Sequence, residues 1–266
     1  MTWFWRVARL ALVVYGAVCG ALYIFQRRLI FPAPPSGAAP QYEPCSLVQI
    51  PREGGPTGAG MYAAPADEAA PTVIFLHGNA EDIRHAKDMA QALTAEGLGF
   101  LALEYPGYGV LSKQSATEKS IYAATQAGID WLLSRGVARK QIMIVGRSLG
   151  SGPAVEMAGR GHVARMVLIT PYTSIVDMAR KMMPFAPAGL LVKDRFESDR
   201  KAPAIEIPVL VIHGRQDEII PVAMGQRMAE LLPQATLELL EGSGHNDLPL
   251  RQGTPLMEQI VAFLKD

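Results

Sequence analysis

Cysteine is nearly missing from this chain: among 266 residues only Cys19 and Cys45 occur. Two lone thiols build no disulfide framework, and neither has metal-ligand spacing. Net charge is missing as well, because 25 basic residues meet 25 acidic ones. A balanced chain has no electrostatic draw on a phosphate backbone, so no nucleic-acid partner is expected. No repeat appears at the periods of solenoids. No metal and no cofactor are expected. What the chain has in quantity is apolar residues, 49% of the total. That is enough to bury a sizeable core in a domain of this length.

Charge is also missing locally. From Leu10 to Phe25 the sequence reads LALVVYGAVCGALYIF. With Val7, Ala8 and a snorkelling Arg9, the run approaches the ~20 residues that a bilayer core requires. Trp3 and Trp5 stand where an interfacial aromatic belt would. A cleaved secretory leader shares this order of basic start and apolar run. No small-x-small cleavage site precedes Gln26-Arg27-Arg28, so an uncleaved single-pass anchor over residues 1–28 is the expectation. Arg6 and Arg9 flank one end and Arg27 and Arg28 the other, so the positive-inside rule gives no orientation. The next segment, FPAPPSGAAPQYEP, reads as part of an extended Pro-rich stalk over 29–45.

From Thr72 onward, short unbroken apolar runs alternate with longer helical patterns. The runs are Thr72–Leu76, Gly99–Leu103, Ile142–Val145, Met166–Ile169 and Pro208–Ile212, with a weaker Thr236–Leu240. Unbroken runs suit strands covered on both faces. Ile83–Glu96, Glu118–Leu133 and Pro255–Leu264 carry apolar residues at helical spacing. The rhythm predicts a mostly parallel central sheet flanked by helices. A patch at Pro51–Gly60 reads as an early hairpin or loop.

In such sheets the chemistry sits beyond the carboxyl ends of the strands. After Ile142–Val145 comes Gly146-Arg147-Ser148-Leu149-Gly150, a G-x-S-x-G sequence at a strand end. A serine on a sharp strand-to-helix turn needs tiny neighbours two residues to either side. Ser148 is therefore the expected nucleophile, and the backbone N–H of Leu149 one oxyanion donor. After Thr72–Leu76 comes His77-Gly78-Asn79-Ala80-Glu81, where the Asn79 N–H is the expected second donor and His77 a packing residue. A serine needs a base, and the base needs an orienting carboxylate. Asp217 follows Pro208–Ile212, and His245 lies in Glu241-Gly242-Ser243-Gly244-His245 after Thr236–Leu240. The chain order of serine, acid and histidine fits one nucleophile site. His213 is expected to brace its turn, and His85 and His162 to be ordinary surface or helix residues.

The strings FLHGNAEDI, EYPGYG, GRSLGSGPAV, HGRQDEIIP and GSGHND together resemble the α/β-hydrolase superfamily. More narrowly they resemble its Bem46-like branch, the group of the ABHD13 and ABHD17 type serine hydrolases. The resemblance runs from about Phe31 to Phe263. It implies an α/β-hydrolase domain over 46–266, with Ser148, Asp217 and His245 as triad and Asn79 and Leu149 as oxyanion donors. In this fold the insertion at about 171–206 supports the cap; Met178, Met182, Met183, Phe185, Leu190 and Leu191 give it an apolar character that suits plain packing of a short helix on the sheet as well as substrate contact, and its shortness predicts a fairly open pocket. The cysteine-rich N-terminal cluster of the ABHD17 type is absent, which counts against protein depalmitoylation as the expected activity. The function expected is cleavage of carboxylic esters or thioesters of lipid-like substrates at a membrane. A peptidase or amidase with the same triad, and a non-catalytic membrane scaffold, are the alternatives. A serine nucleophile argues against the carboxylate-dependent haloalkane and epoxide hydrolases.

Overall fold

A computed structural model describes residues 2–35, 37–52 and 54–266. Met1 of the expected anchor, Ser36 of the expected stalk and Glu53 of the early loop lie outside the described residues. Helix α1 covers Thr2–Ile30, and the stretch Trp3–Ile30 is long and apolar enough to cross a membrane. It ends where Phe31 precedes Pro32, because proline disfavours helical backbone in the residue before it.

Eight strands form one sheet in the order β1-β2-β4-β3-β5-β6-β7-β8. The first two, β1 (Ser46–Ile50) and β2 (Gly58–Ala63), make an antiparallel hairpin whose β2 pairs antiparallel with β4 (Gly99–Leu103). The other neighbours are parallel: β3 (Thr72–Leu76), β4, β5 (Ile142–Arg147), β6 (Arg165–Ile169), β7 (Val209–Gly214) and β8 (Ala235–Leu240). Their alternating side chains feed two cores on opposite faces. Ile74, Leu101, Ile144 and Leu168 meet Ile129 of α3 (Glu118–Leu133) and Val155 of α4 (Ser151–Gly159) in one core. Val73, Phe100, Val145 and Ile212 meet Leu93 of α2 (Lys87–Ala95) and Ile260 of the C-terminal helix, Pro255–Lys265, in the other.

Between β6 and β7 lie α5 (Ile175–Met182), α6 (Ala188–Leu191) and α7 (Ser198–Lys201); α8 (Val222–Leu231) and α9 (Pro255–Lys265) complete the chain. The cap is thus three short helices, and it rests partly on α1. Gln26 donates to the Leu191 carbonyl at 3.0 Å, and Arg27 pairs with Asp194 at 2.8 Å.

Several expectations shift. Residues 29–45 do not form a free stalk: Leu29 and Ile30 are helical, and Phe31, Tyr42 and Cys45 are buried. Apolar side chains in the Pro-rich stretch draw it onto the domain, where Phe31 packs edge-on to Phe196 and the Tyr42 hydroxyl donates to the Ile83 carbonyl. Strand β5 runs on through Gly146 and Arg147, and β7 through His213 and Gly214, because a ladder needs backbone groups rather than apolar side chains. Pro208 drops out of β7, having no N–H to give.

Leu101 is fully buried in the first core, whereas Leu47 on the edge strand is 43% exposed. Leu101→Ala is expected to cost about 2–5 kcal/mol in urea unfolding in detergent, and Leu47→Ala under about 1 kcal/mol. Equal costs would contradict this placement of the core.

Candidate active site

The sheet reverses its winding at β3, with β4 on one side and β5 on the other. A crevice opens at such a switch point beyond the strand ends. Two loops flank it, His77–Glu81 after β3 and the turn after β5. Ser148 sits in that turn with φ +48°, a left-handed conformation that costs a residue with a side chain roughly 1–3 kcal/mol. Crowding leaves no room for larger neighbours. A Cβ on Gly150 would lie 2.9 Å from the Leu76 Cβ and closer still to its carbonyl, and one on Gly146 would lie 2.8 Å from the Ala154 Cβ.

The Ser148 Oγ lies 3.1 Å from His245 Nε2, and His245 Nδ1 lies 2.7 Å from Asp217 Oδ2. The geometry fixes the tautomer: Nδ1–H donates to the carboxylate, and Nε2 accepts the serine hydroxyl. Asp217 Oδ1 accepts the N–H groups of Ile219 and Ile220 at 2.9 and 2.7 Å. Burial alone would raise the Asp217 carboxyl. Hydrogen bonds from His213, His245 and the Ile220 N–H outweigh it and hold the group well below the ordinary carboxylate range. Ser148, His245 and Asp217 are 8%, 7% and 9% exposed, so all three groups are buried.

The loop after β3 lies against the serine. A Cβ on Gly78 would stand 3.5 Å from the Ser148 Cβ. The Gly78 N–H donates to Glu81 Oε2 at 2.7 Å. Asn79 is held at both ends of its side chain: Nδ2 donates to the Ile30 carbonyl and Oδ1 accepts the Tyr108 hydroxyl, each at 2.6 Å. The side-chain amide of Asn79 is therefore spent on these two contacts. Leu149 follows Ser148 in a single helical turn, Ser148–Gly150, whose first amides have no intrahelical acceptor.

A family model described as the alpha/beta hydrolase fold matches residues 71–199 and 193–251. The chain belongs to the α/β-hydrolase family. This membership supports hydrolase activity. An uncharacterized protein of Mycobacterium tuberculosis strain H37Rv is 31% identical over 98% of this hydrolase and 94% of its own length. Alpha/beta hydrolase domain-containing protein 17C of Homo sapiens is 34% identical over 71% of the hydrolase, which spans 57% of that relative's length. Among solved structures, an esterase of Pyrococcus furiosus has a TM-score of 0.69 at 24% identity, covering 88% of the hydrolase and 98% of that chain. A Mycobacterium tuberculosis puromycin-hydrolyzing peptidase has the same TM-score at 17% identity, covering 83% and 38%. Both share the fold with the hydrolase.

The structure brings Ser148, Asp217 and His245 together and sets the Asn79 loop beside them. It keeps His77 out of the line: the ring is buried, bonds the Gly78 carbonyl at 2.8 Å and lies against Tyr105. Its Nε2 faces Glu104 Oε1 at 3.3 Å, off the line of a hydrogen bond. His213 does more than brace its turn. Its Nε2 lies 3.0 Å from the Ile220 carbonyl and 3.2 Å from Asp217 Oδ2, so a single N–H serves both oxygens. The signal for this contact was the four-residue spacing from His213 to Asp217. Glu81 and Arg147 had no assigned role. They pair with one another, and Arg147 reaches Asn246 Oδ1 at 3.2 Å, tying the β3, β5 and β8 loops together.

The lowered Asp217 carboxyl gives a pH test. Its contribution to stability is complete above the unfolded value of about 4 and is lost as pH falls below that toward the lower folded value. Wild-type unfolding free energy should drop between about pH 5 and 3 more steeply than that of Asp217→Asn. Identical slopes would contradict the assigned hydrogen bonding.

Proposed function

We propose that this protein is a membrane-anchored serine hydrolase that cleaves carboxylic ester or thioester bonds of lipid-like acyl substrates. The observation that carries the reading is the unbroken series from Ser148 Oγ through His245 to Asp217, at 3.1 and 2.7 Å. In this reading residues 1–28 are a single-pass anchor, the Pro-rich stretch to residue 45 straps the anchor to the domain, and residues 46–266 are the hydrolase domain. The apolar span Trp3–Ile30 supports the anchor.

The chemistry follows from the contacts. Ser148 Oγ bonds to the acyl carbon while His245 Nε2 takes the hydroxyl proton. The Asn79 and Leu149 amides hold the carbonyl oxygen as it becomes negative. Asp217 stays ionised and steadies the imidazolium. The bond to the alkoxide or thiolate leaving group then breaks, and His245 returns the proton to that group. A water gives a proton to His245 and attacks the acyl-enzyme. The Ser148 oxygen leaves with the proton from His245, and the free acid departs.

A fluorophosphonate should label the wild type and fail on Ser148→Ala; an unlabelled wild type would leave a non-catalytic scaffold as the better reading. His245→Ala and Asp217→Asn should each lower kcat/KM on p-nitrophenyl esters by at least ~10³. Near-normal rates would remove those roles, and turnover of aminoacyl anilides alone would make the enzyme a peptidase. The full-length chain should stay with membranes through an alkaline carbonate wash; release into the supernatant would contradict the anchor.

A further inference from the structure

Helix α1 does not leave the cap when it enters the apolar run. The Tyr15 hydroxyl donates to the Phe185 carbonyl at 3.0 Å, midway along the helix. Nearer the domain, Lys193 places its ammonium over the Tyr23 ring, and Gln26 is buried, bonding the Leu191 carbonyl and the Lys193 N–H. From Arg27 back to Tyr15 the helix rises roughly 18 Å at its standard pitch. With Arg27 and Arg28 at the headgroups, that distance sets Phe185 about midway through a hydrocarbon core of ~30 Å. The cap's outer face fits such a place. Met182 is 71% exposed, Phe185 57% and Leu190 84%, an apolar surface that water does not favour.

Between α1 and the cap runs a trough with apolar walls. Leu22 and Ile30 line it from α1, and Ile175, Ala179, Met183 and Leu191 from the cap. Gln26 also borders it, with its amide spent on the backbone bonds just described. One end follows the apolar run of α1. The other end reaches Ile30, whose carbonyl takes the Asn79 side chain, one residue from the glycine that lies against Ser148. The trough is small, about 60 Å³, and its lining ends at Ile30, so it holds a short stretch of a chain; its aliphatic walls fit hydrocarbon and no polar ligand.

We infer that this trough is an acyl-chain site, and that the substrate is a membrane-resident ester whose chain enters sideways from the leaflet between α1 and the cap. The inference rests on the anchored serine-hydrolase reading above, and it adds where the chain lies and which pool supplies it. The carbonyl end of the chain comes to Ser148, while the tail stays among lipid or along α1.

The test uses the full-length protein in phosphatidylcholine vesicles that contain a phosphatidylcholine with a diazirine near the end of one acyl chain. After irradiation, lipid adducts are expected on Leu22, Ile175, Ala179 and Met183, besides those on the outer surface of α1 such as Leu12. Ala186 also lines the trough, and Ala186→Trp and, separately, Met183→Trp put an indole into it. Each should reduce the adducts on Leu22, Ile175 and Ala179 at least fivefold while the Leu12 adduct persists. Each should also lower the palmitate-to-acetate ratio of kcat/KM on p-nitrophenyl esters at least tenfold, with cooperative thermal unfolding showing that the variant is folded. Adducts confined to the outer surface of α1, or unchanged by both folded variants, would overturn the site. Protein–protein cross-links from trough residues without lipid adducts would overturn it in favour of a partner helix. Wild-type protein that takes trough adducts but no fluorophosphonate would keep the chain site and overturn the serine-hydrolase reading instead.

Discussion

The His245 imidazole is the joint on which the site turns. It meets an alcohol at one nitrogen and a carboxylate at the other, and the three groups come from loops after β5, β7 and β8. Nothing local to any one loop holds them in series. The parallel sheet does, by ending its strands at a common edge. Each flanking device protects that convergence. Two backbone N–H groups and His213 fix Asp217, so the carboxylate has little freedom except to face the ring. Ser148 is held in a left-handed turn by glycines whose absent side chains would strike neighbouring backbone.

The loops are also tied to each other. Glu81 and Arg147 join the β3 loop to the β5 strand end, and Arg147 continues to Asn246 beside the histidine. Behind the β3 loop, the Tyr105 hydroxyl holds the His77 carbonyl at 3.0 Å, and Tyr108 holds Asn79. Asn79 then reaches the Ile30 carbonyl at the end of α1. The N-terminal helix is therefore linked by two hydrogen bonds in succession to the aromatic pair packed behind the candidate oxyanion loop. An N-terminal helix attached in this way is part of the site's framework.

Much of this was legible in the sequence. The runs at Thr72–Leu76 and Gly99–Leu103 are strands as read, because strands buried on both faces are mostly apolar. Ser148 and Asp217 were legible because each stands in a loop after such a run, and His245 because it follows the weaker run of β8 in the chain order of serine, acid and histidine. Other parts were hidden for physical reasons. Four of the six residues of the strand Gly58–Ala63 are glycine or alanine, and its place depends on hairpin pairing with Ser46–Ile50 rather than on a pattern of its own. The Pro-rich stretch has the composition of a spacer, yet a few aromatic and apolar side chains are enough to bind it to the domain. The contacts of Glu81 and Arg147 join distant or unpatterned positions, and periodicity carries no record of them. The seat of the cap on α1 depends on single bonds from Tyr15, Gln26 and Arg27, which composition cannot show.

In the proposed mechanism the Ser148 oxygen carries the acyl group between the two half-reactions. Rapid quenching during the first turnover of a p-nitrophenyl ester, followed by peptide mass spectrometry, reads that bond directly. A burst of about one nitrophenol per protein, with the acyl mass on the peptide at Ser148, is the expected result. Turnover with no acyl mass on that serine, or with the acyl group on another residue, would contradict it.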